Sequence, residues 1–180
     1  MRENYGKYDI TYRLLRDRVI ILDTNVHEFS ASEIVKQLML LDAEDPSKDI
    51  QFYINSRGGN IYDGLMIIDT MKMIRPRIST IVLGNAMSMG AVIASSGTKG
   101  KRYATKNATM MIHQVIGGVY GQESDFAIEA KEMARLKKEL TQMLADNTGQ
   151  TFEQVEADTD RNNYLTATDA LAYGLVDKII

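Results

Sequence analysis

The sequence predicts an α/β domain in which helices cover a largely parallel β-sheet. Short apolar runs rich in β-branched residues alternate with segments whose apolar residues recur every three or four positions. Such alternation favours right-handed crossovers and parallel strand pairing. The chain has 180 residues, of which 44% are hydrophobic, and no repeat or Pro/Gly/Ser-rich linker divides it. We therefore expect residues 1–180 to form a single domain.

The strands are predicted from the apolar runs. They cover residues 18–22, 50–55, 78–83, 101–104, 109–113 and 175–180. The first run is continuously apolar, as is typical of a buried strand, whereas the second alternates apolar and polar positions. A polar loop with two glycines, Gly58 and Gly59, follows the second strand.

The helices are predicted from the helical spacing of apolar residues. They cover residues 30–41, 62–74, 89–96, 123–147 and 166–173. Ser30 or Ser32 is a suitable N-cap for the first helix, and Gly174 ends the last. The helix over 89–96 consists of small residues and begins directly after Ser88.

The helix predicted over 123–147 is long for a domain of this size. At about 1.5 Å per residue it would extend for roughly 37 Å. Apolar residues that include Leu136 and Leu140 run along it beside a dense charged face. It is either a surface helix of its own domain or a helix that projects to pack on another subunit, and we favour the second interpretation. Leu136 and Leu140 would then lie at the contact between subunits.

Composition excludes several classes of function. The chain has no cysteine, which rules out disulfides, thiolate metal sites and a cysteine nucleophile. Its 21 basic and 24 acidic residues form no basic stripe, so we expect neither nucleic acid nor a membrane surface as a partner. No metal-binding spacing is present, and we expect no cofactor. The first seven residues lack the apolar run of a secretory signal, and we expect a cytoplasmic protein.

Ser88 is the first candidate for chemistry. At the start of a helix the backbone N–H groups are unpaired and the helix dipole favours negative charge, so an oxyanion can be stabilised there. The alternative is a serine that only caps the helix, because the glycine-x-serine-x-glycine spacing of a nucleophile elbow is absent.

The chain has only two histidines, His27 and His113. His113 lies at the carboxyl end of a predicted strand, where open α/β sheets bind ligands, although a histidine satisfied at the edge of the core is the alternative. His27 is expected to be a solvated loop residue. Gly58 and Gly59 allow close backbone approach, which suits an oxyanion-binding loop or, more weakly, a phosphate loop.

Several motifs, taken together, resemble the Clp protease proteolytic subunit (ClpP) family along nearly the whole chain. They are YRLLRDR at 12–18, DIQFYINSRGG at 49–59, NAMSMGA at 85–91, MIHQ at 111–114, GG at 117–118 and YGLVD at 173–177. The resemblance implies the ClpP/crotonase-type fold, with the helix at about 123–147 as a projecting "handle". It also implies Ser88 as nucleophile, His113 as general base, and the N–H groups of Gly59 and Met89 as the oxyanion hole.

The resemblance further implies an assembly. Handles would join two seven-membered rings into a barrel, and an ATP-driven AAA+ Clp unfoldase would deliver chains to it. The predicted function is an ATP-independent serine endopeptidase subunit that hydrolyses peptides and unfolded proteins. Extended substrate is expected to add as a strand between Gly58–Gly59 and residues 115–121.

The sequence departs from the family pattern at the third triad position, where Asn162 replaces the usual aspartate. It also has Arg57 and Val115 in place of two loop prolines, and fewer residues than usual before Tyr8. Asparagine can accept a hydrogen bond from histidine but brings no charge to stabilise the imidazolium. We therefore expect a weak or conditional peptidase. One alternative is a structural or regulatory ring subunit in a mixed particle with an active paralogue. A more distant alternative is an acyl-CoA enzyme of the crotonase type.

Overall fold

A mixed β-sheet forms the centre of the computed structural model, which describes residues 10–118 and 120–180. Within that part of the chain the strands are β1 (Val19–Leu22), β2 (Ile50–Ser56), β3 (Ile78–Met87), β4 (Arg102–Ala104), β5 (Thr109–Ile112), β6 (Asn163–Thr166) and β7 (Lys178–Ile179). The main path runs β1-β2-β3-β4-β7 with parallel pairing, and β5 continues β3 on a side branch. Only the β5–β6 pair among these is antiparallel. The predicted α/β fold is confirmed.

Helices surround this sheet. They are α1 (Ile10–Arg16), α2 (Glu28–Glu44), α3 (Ile61–Met73), α4 (Met89–Ser95), α5 (Glu123–Thr148), α6 (Phe152–Asp158) and α7 (Ala167–Tyr173). Apolar residues of β2, α2 and α4 are buried together in one core. No helix of the described residues is long and apolar enough to span a membrane. The predictions made for residues 1–9 and for Val119 lie outside the described residues.

Three short elements were not predicted from the sequence, namely α1, α6 and β6. Each buries few residues, since α1 has no buried residue, α6 has only Val155 and β6 has only Leu165. The strand forms because β5 pairs with it, with Met110 opposite Leu165 and Ile112 opposite Asn163. A contact between segments that distant in sequence leaves no local pattern.

The start of α2 differs from the prediction. His27, rather than Ser30 or Ser32, is the N-cap, and its Nδ1 accepts a hydrogen bond from the backbone N–H of Ser30 at 3.4 Å. The Ser30 hydroxyl in turn accepts from the backbone N–H of His27 at 3.0 Å. This reciprocal capping box gives His27 a structural role. His27 is exposed and precedes the helix, as predicted for a solvated loop residue.

The long helix α5 has two distinct halves. Its carboxyl-terminal half packs on the domain through Leu136, Thr141, Leu144 and Ala145, whereas residues 123–131 are exposed throughout. Leu136 is buried within its own chain and Leu140 packs partly against the core. The prediction that Leu136 lies at a contact between subunits is therefore wrong, whereas for the partly exposed Leu140 it stays a prediction. The first half projects from the domain instead.

Candidate active site

The turn from β3 to α4 places Ser88 in a rare backbone conformation. Its φ of 53° and ψ of −125° are unusual for a residue other than glycine, and such conformations cost about 1–3 kcal/mol. The backbone N–H of Ser88 donates to the Met111 carbonyl oxygen at 2.8 Å and so ties the turn to β5. A sharp strand-to-helix turn of this kind presents a side chain at the carboxyl end of the sheet, as a nucleophile elbow does.

Ser88 occupies the N-cap position of α4, but its hydroxyl makes no capping hydrogen bond. The interpretation of Ser88 as a serine that only caps the helix is therefore wrong. The hydroxyl is available to react, and the N–H of Met89, the first helical residue, has no partner within the helix.

The glycine loop after β2 packs directly on this turn. A Cβ added at Gly58 would lie 2.7 Å from the Ser88 Cβ and 2.9 Å from the Met89 nitrogen. Gly59 has a φ of 151° and forms an isolated β-bridge with Val26. A Cβ added at Gly59 would overlap the carbonyl oxygen of Val26. The backbone of the glycine loop therefore approaches Ser88 more closely than it could if residue 58 carried a side chain. Within the described residues the N–H of Gly59 makes no hydrogen bond.

His113 directly follows β5 and is half-buried. Burial lowers the pKa of the imidazole because desolvation disfavours its charged form. A larger share of the rings is then neutral near pH 7, which is the form that can take a proton from a hydroxyl. Among residues 10–118 and 120–180, the imidazole makes no hydrogen bond to Ser88 or to Asn162.

Asn162 is the residue before β6, and His113 is the residue after β5. The antiparallel register ends with Ile112 opposite Asn163, and His113 and Asn162 line the same hollow beyond it. Gln114 holds the two segments together, because its backbone N–H donates to Thr159 and its side-chain amide donates to the Asp160 carbonyl oxygen at 2.7 Å. The sequence did not predict this role of Gln114, because the sequence shows only that Gln114 follows His113.

One cavity of about 250 Å³ brings the predicted residues together, except Asn162. Ser88, His113, Gly59 and Met89 all line it. Asn162 lies instead in a neighbouring hollow whose wall it shares with His113. The two hollows therefore adjoin along His113 and residues 114–116.

The remaining cavity wall is mainly apolar. Ile61 and Val92 form part of it, and α5 contributes Leu140 and Leu144. The base of the projecting helix thus shapes the cavity, a role that sequence reasoning did not find. No cluster of three or more metal-ligating side chains occurs in the part of the chain described.

This arrangement supplies the parts that a serine hydrolase requires, namely a free hydroxyl, a neutral imidazole and unpaired backbone donors around one cavity. The model of the Clp protease family matches residues 2–180, and the chain therefore belongs to that family. It is a ClpP-type protein, and the resemblance identified in the sequence is confirmed. The family relationship makes it a peptidase by type, with proteins as the general class of substrate.

Proposed function

We propose that this chain is an ATP-independent serine endopeptidase subunit of a barrel-shaped Clp protease in the cytoplasm. It hydrolyses peptides, and also proteins that an AAA+ Clp unfoldase delivers, with low activity on its own. The observation that carries this proposal is the uncapped Ser88 hydroxyl on a strained turn, facing the same cavity as His113, Gly59 and Met89.

Each of these groups has a defined part in the reaction. The Ser88 Oγ attacks the peptide carbonyl carbon while His113 takes the hydroxyl proton. The N–H groups of Gly59 and Met89 stabilise the oxyanion, and His113 then protonates the leaving amine. Water hydrolyses the acyl-enzyme by the same route. In the aligned site of the assembled particle, the amide oxygen of Asn162 orients the imidazole but contributes no charge.

Substrate binds as an extended strand between the Gly58–Gly59 loop and the segment that begins at Val115. Residues 115–118 form no regular secondary structure, and their backbone groups make no hydrogen bonds among the described residues. A peptide can satisfy these groups by strand addition. The apolar wall of the cavity then receives a side chain next to the scissile bond.

The exposed half of α5 supports the proposed assembly of two seven-membered rings. Phe126 is 48% exposed and Ile128 is 65% exposed on this projecting segment. Apolar side chains exposed on a projecting helical segment fit a contact with another subunit.

A second candidate function is a structural or regulatory subunit in a mixed ring with an active paralogue. Two observations favour it, namely the uncharged Asn162 and the lack of a hydrogen bond between His113 and either Ser88 or Asn162 in the described chain. Contacts from a neighbouring subunit would supply the alignment that the isolated chain lacks.

Ser88 should be the serine that a fluorophosphonate probe labels, because its hydroxyl alone combines the strained turn with the oxyanion donors. Ser88→Ala should abolish both labelling and peptidase activity, as measured by intact-mass analysis and a fluorogenic peptide. Ser47→Ala, at an exposed serine outside the cavity, is the matched control and should change neither. Labelling of a different serine would refute the assignment. An absence of labelling would favour the structural subunit.

Phe126→Glu and Ile128→Glu should dissociate the oligomer, because an unpaired carboxylate buried at a subunit contact costs several kcal/mol. Sedimentation at micromolar concentration should show a species near the 20.2 kDa mass of one chain. Phe29→Glu makes the same change at a residue 72% exposed outside α5 and serves as control. Oligomers that withstand both α5 changes would contradict the proposed role of this helix.

A further inference from the structure

Arg57 places an unpaired positive charge on the wall of the active-site cavity. It is the last residue before Gly58 and is exposed. Within residues 10–118 and 120–180, its guanidinium group takes part in no ion pair and no hydrogen bond. A guanidinium group carries five N–H donors and no acceptor, so these donors can bind an acidic or carbonyl group of a ligand.

The charges around the cavity are of one sign. Of the residues that the structure describes, Arg57 and Lys137 line it, and no aspartate or glutamate does. Lys137 already has a partner, because its Nζ lies 3.1 Å from a carboxylate oxygen of Glu156. Within the described part of the chain, Arg57 is therefore the cation of the cavity without a partner, and it lies beside a mainly apolar wall.

We propose that Arg57 determines substrate specificity by binding a carboxylate of the peptide close to the scissile bond. A guanidinium group can hold a carboxylate through two parallel hydrogen bonds, which gives direction as well as attraction. The inference rests on the proposed function and names its substrate class, an acidic peptide. The carboxylate comes either from a glutamate or aspartate side chain or from the C-terminus of a chain.

The position of Arg57 limits which substrate residue it meets. Consecutive Cα atoms lie about 3.8 Å apart, so the Cα atoms of Arg57 and Gly59 are at most about 7.6 Å apart. The N–H of Gly59 is the proposed donor to the reacting carbonyl. Because an extended peptide rises about 3.3 Å per residue, Arg57 reaches a side chain within about two residues of the scissile bond.

The test measures binding rather than hydrolysis, so it does not depend on catalysis. Fluorescence anisotropy measures the affinity of the Ser88→Ala protein for pairs of amidated peptides. The two peptides of a pair differ only in having glutamate or glutamine at one position, and this position is varied within two residues on either side of the cleavage point. We expect the best glutamate peptide to bind about five-fold more tightly than its glutamine partner, which is about 1 kcal/mol. Raising the salt concentration should reduce this ratio.

Variants at Arg57 make the test specific. In the Ser88→Ala background, Arg57→Gln should bring the affinity ratio close to one, and Arg57→Glu should favour a lysine peptide instead. Lys106→Glu, at an exposed lysine that does not line the cavity, is the control for added negative charge and should leave the ratio unchanged.

A second arm separates the two sources of the carboxylate. If a peptide with a free C-terminal carboxylate binds more tightly than its amidated form, while the glutamate and glutamine peptides bind with equal affinity, Arg57 binds a chain terminus. Equal affinities in both arms, a preference that persists in Arg57→Gln, or no binding of any peptide would overturn the inference. Should the peptide ratios hold while Ser88 proves unreactive, the proposed function fails and the carboxylate site remains.

Discussion

Asn162→Asp should raise the peptidase activity of the assembled particle by one to three orders of magnitude. A carboxylate opposite His113 holds the imidazole in the correct tautomer and stabilises the imidazolium that forms during attack. In a serine protease of another fold, the reverse change lowers kcat about 10⁴-fold with the geometry intact. Each factor of ten corresponds to about 1.4 kcal/mol of barrier. His113 and residue 162 follow directly on the paired ends of β5 and β6 and line one hollow, so the new carboxylate lies in the neighbourhood of the ring.

Kinetics with a fluorogenic peptide, together with sedimentation, measure this effect. Asn163→Asp is the matched control, since it adds the same charge one residue away on β6. The pH profile gives a second readout. Burial lowers the pKa of His113 in the unmodified chain, whereas a neighbouring carboxylate raises it, so the acid limb of the profile should move to higher pH. Equal activity in an intact oligomer would show that Asn162 does not limit the chemistry.

Arg102→Ala should lower the free energy of unfolding by about 3–5 kcal/mol, because it breaks a buried ion pair. Arg102 is 1% exposed, and its Nε and Nη2 donate to the two carboxylate oxygens of Asp177 at 2.9 and 2.5 Å. Its Nη1 donates to the carbonyl oxygens of Ser95 and Asn147. The variant leaves a carboxylate and two carbonyl groups without these partners, at the place where β4 meets the ends of α4 and α5.

Chemical denaturation of Arg102→Ala beside Arg77→Ala measures the difference. Arg77 pairs with Asp49 at 3.2 Å at the surface, with 65% of its side chain exposed, so its loss should cost less than about 1 kcal/mol. If Arg102→Ala lowers the free energy of unfolding as little as Arg77→Ala does, the prediction is contradicted.

The same ion pair should make stability depend on pH. Burial by itself raises the pKa of Asp177, but hydrogen bonds from Arg102 and Gly100 outweigh it and the pKa lies below its usual value. The carboxylate therefore stabilises the fold above its unfolded pKa of about 3.9. This contribution is lost as the pH falls through the lower pKa of Asp177 in the folded state. The difference in the free energy of unfolding between the unmodified chain and Arg102→Ala should become smaller there.

Much of the fold could be predicted because its signals are local. The strand at 50–55 and the helix at 123–147 carry patterns that span several turns or pleats, and each lies within two residues of its predicted bounds. α6 and β6 were missed because a single well-buried apolar residue, Val155 or Leu165, gives no period to detect. α6 packs on the preceding helix α5, and β6 pairs with β5 from a distant part of the chain.

The sequence by itself determined which chemical groups this protein has available. It determined an α/β alternation and the order of Ser88, His113 and Asn162 along the chain, since each follows from residue type and local spacing. The proposal that Asn162 is the third triad member comes from the resemblance to the family and not from spacing. Only the tertiary structure decided that the Ser88 hydroxyl is uncapped, that Leu136 packs inward while Phe126 is exposed, and that Arg57 lines the cavity. These outcomes depend on the direction of side chains and on contacts between segments far apart in the chain, which no local pattern records.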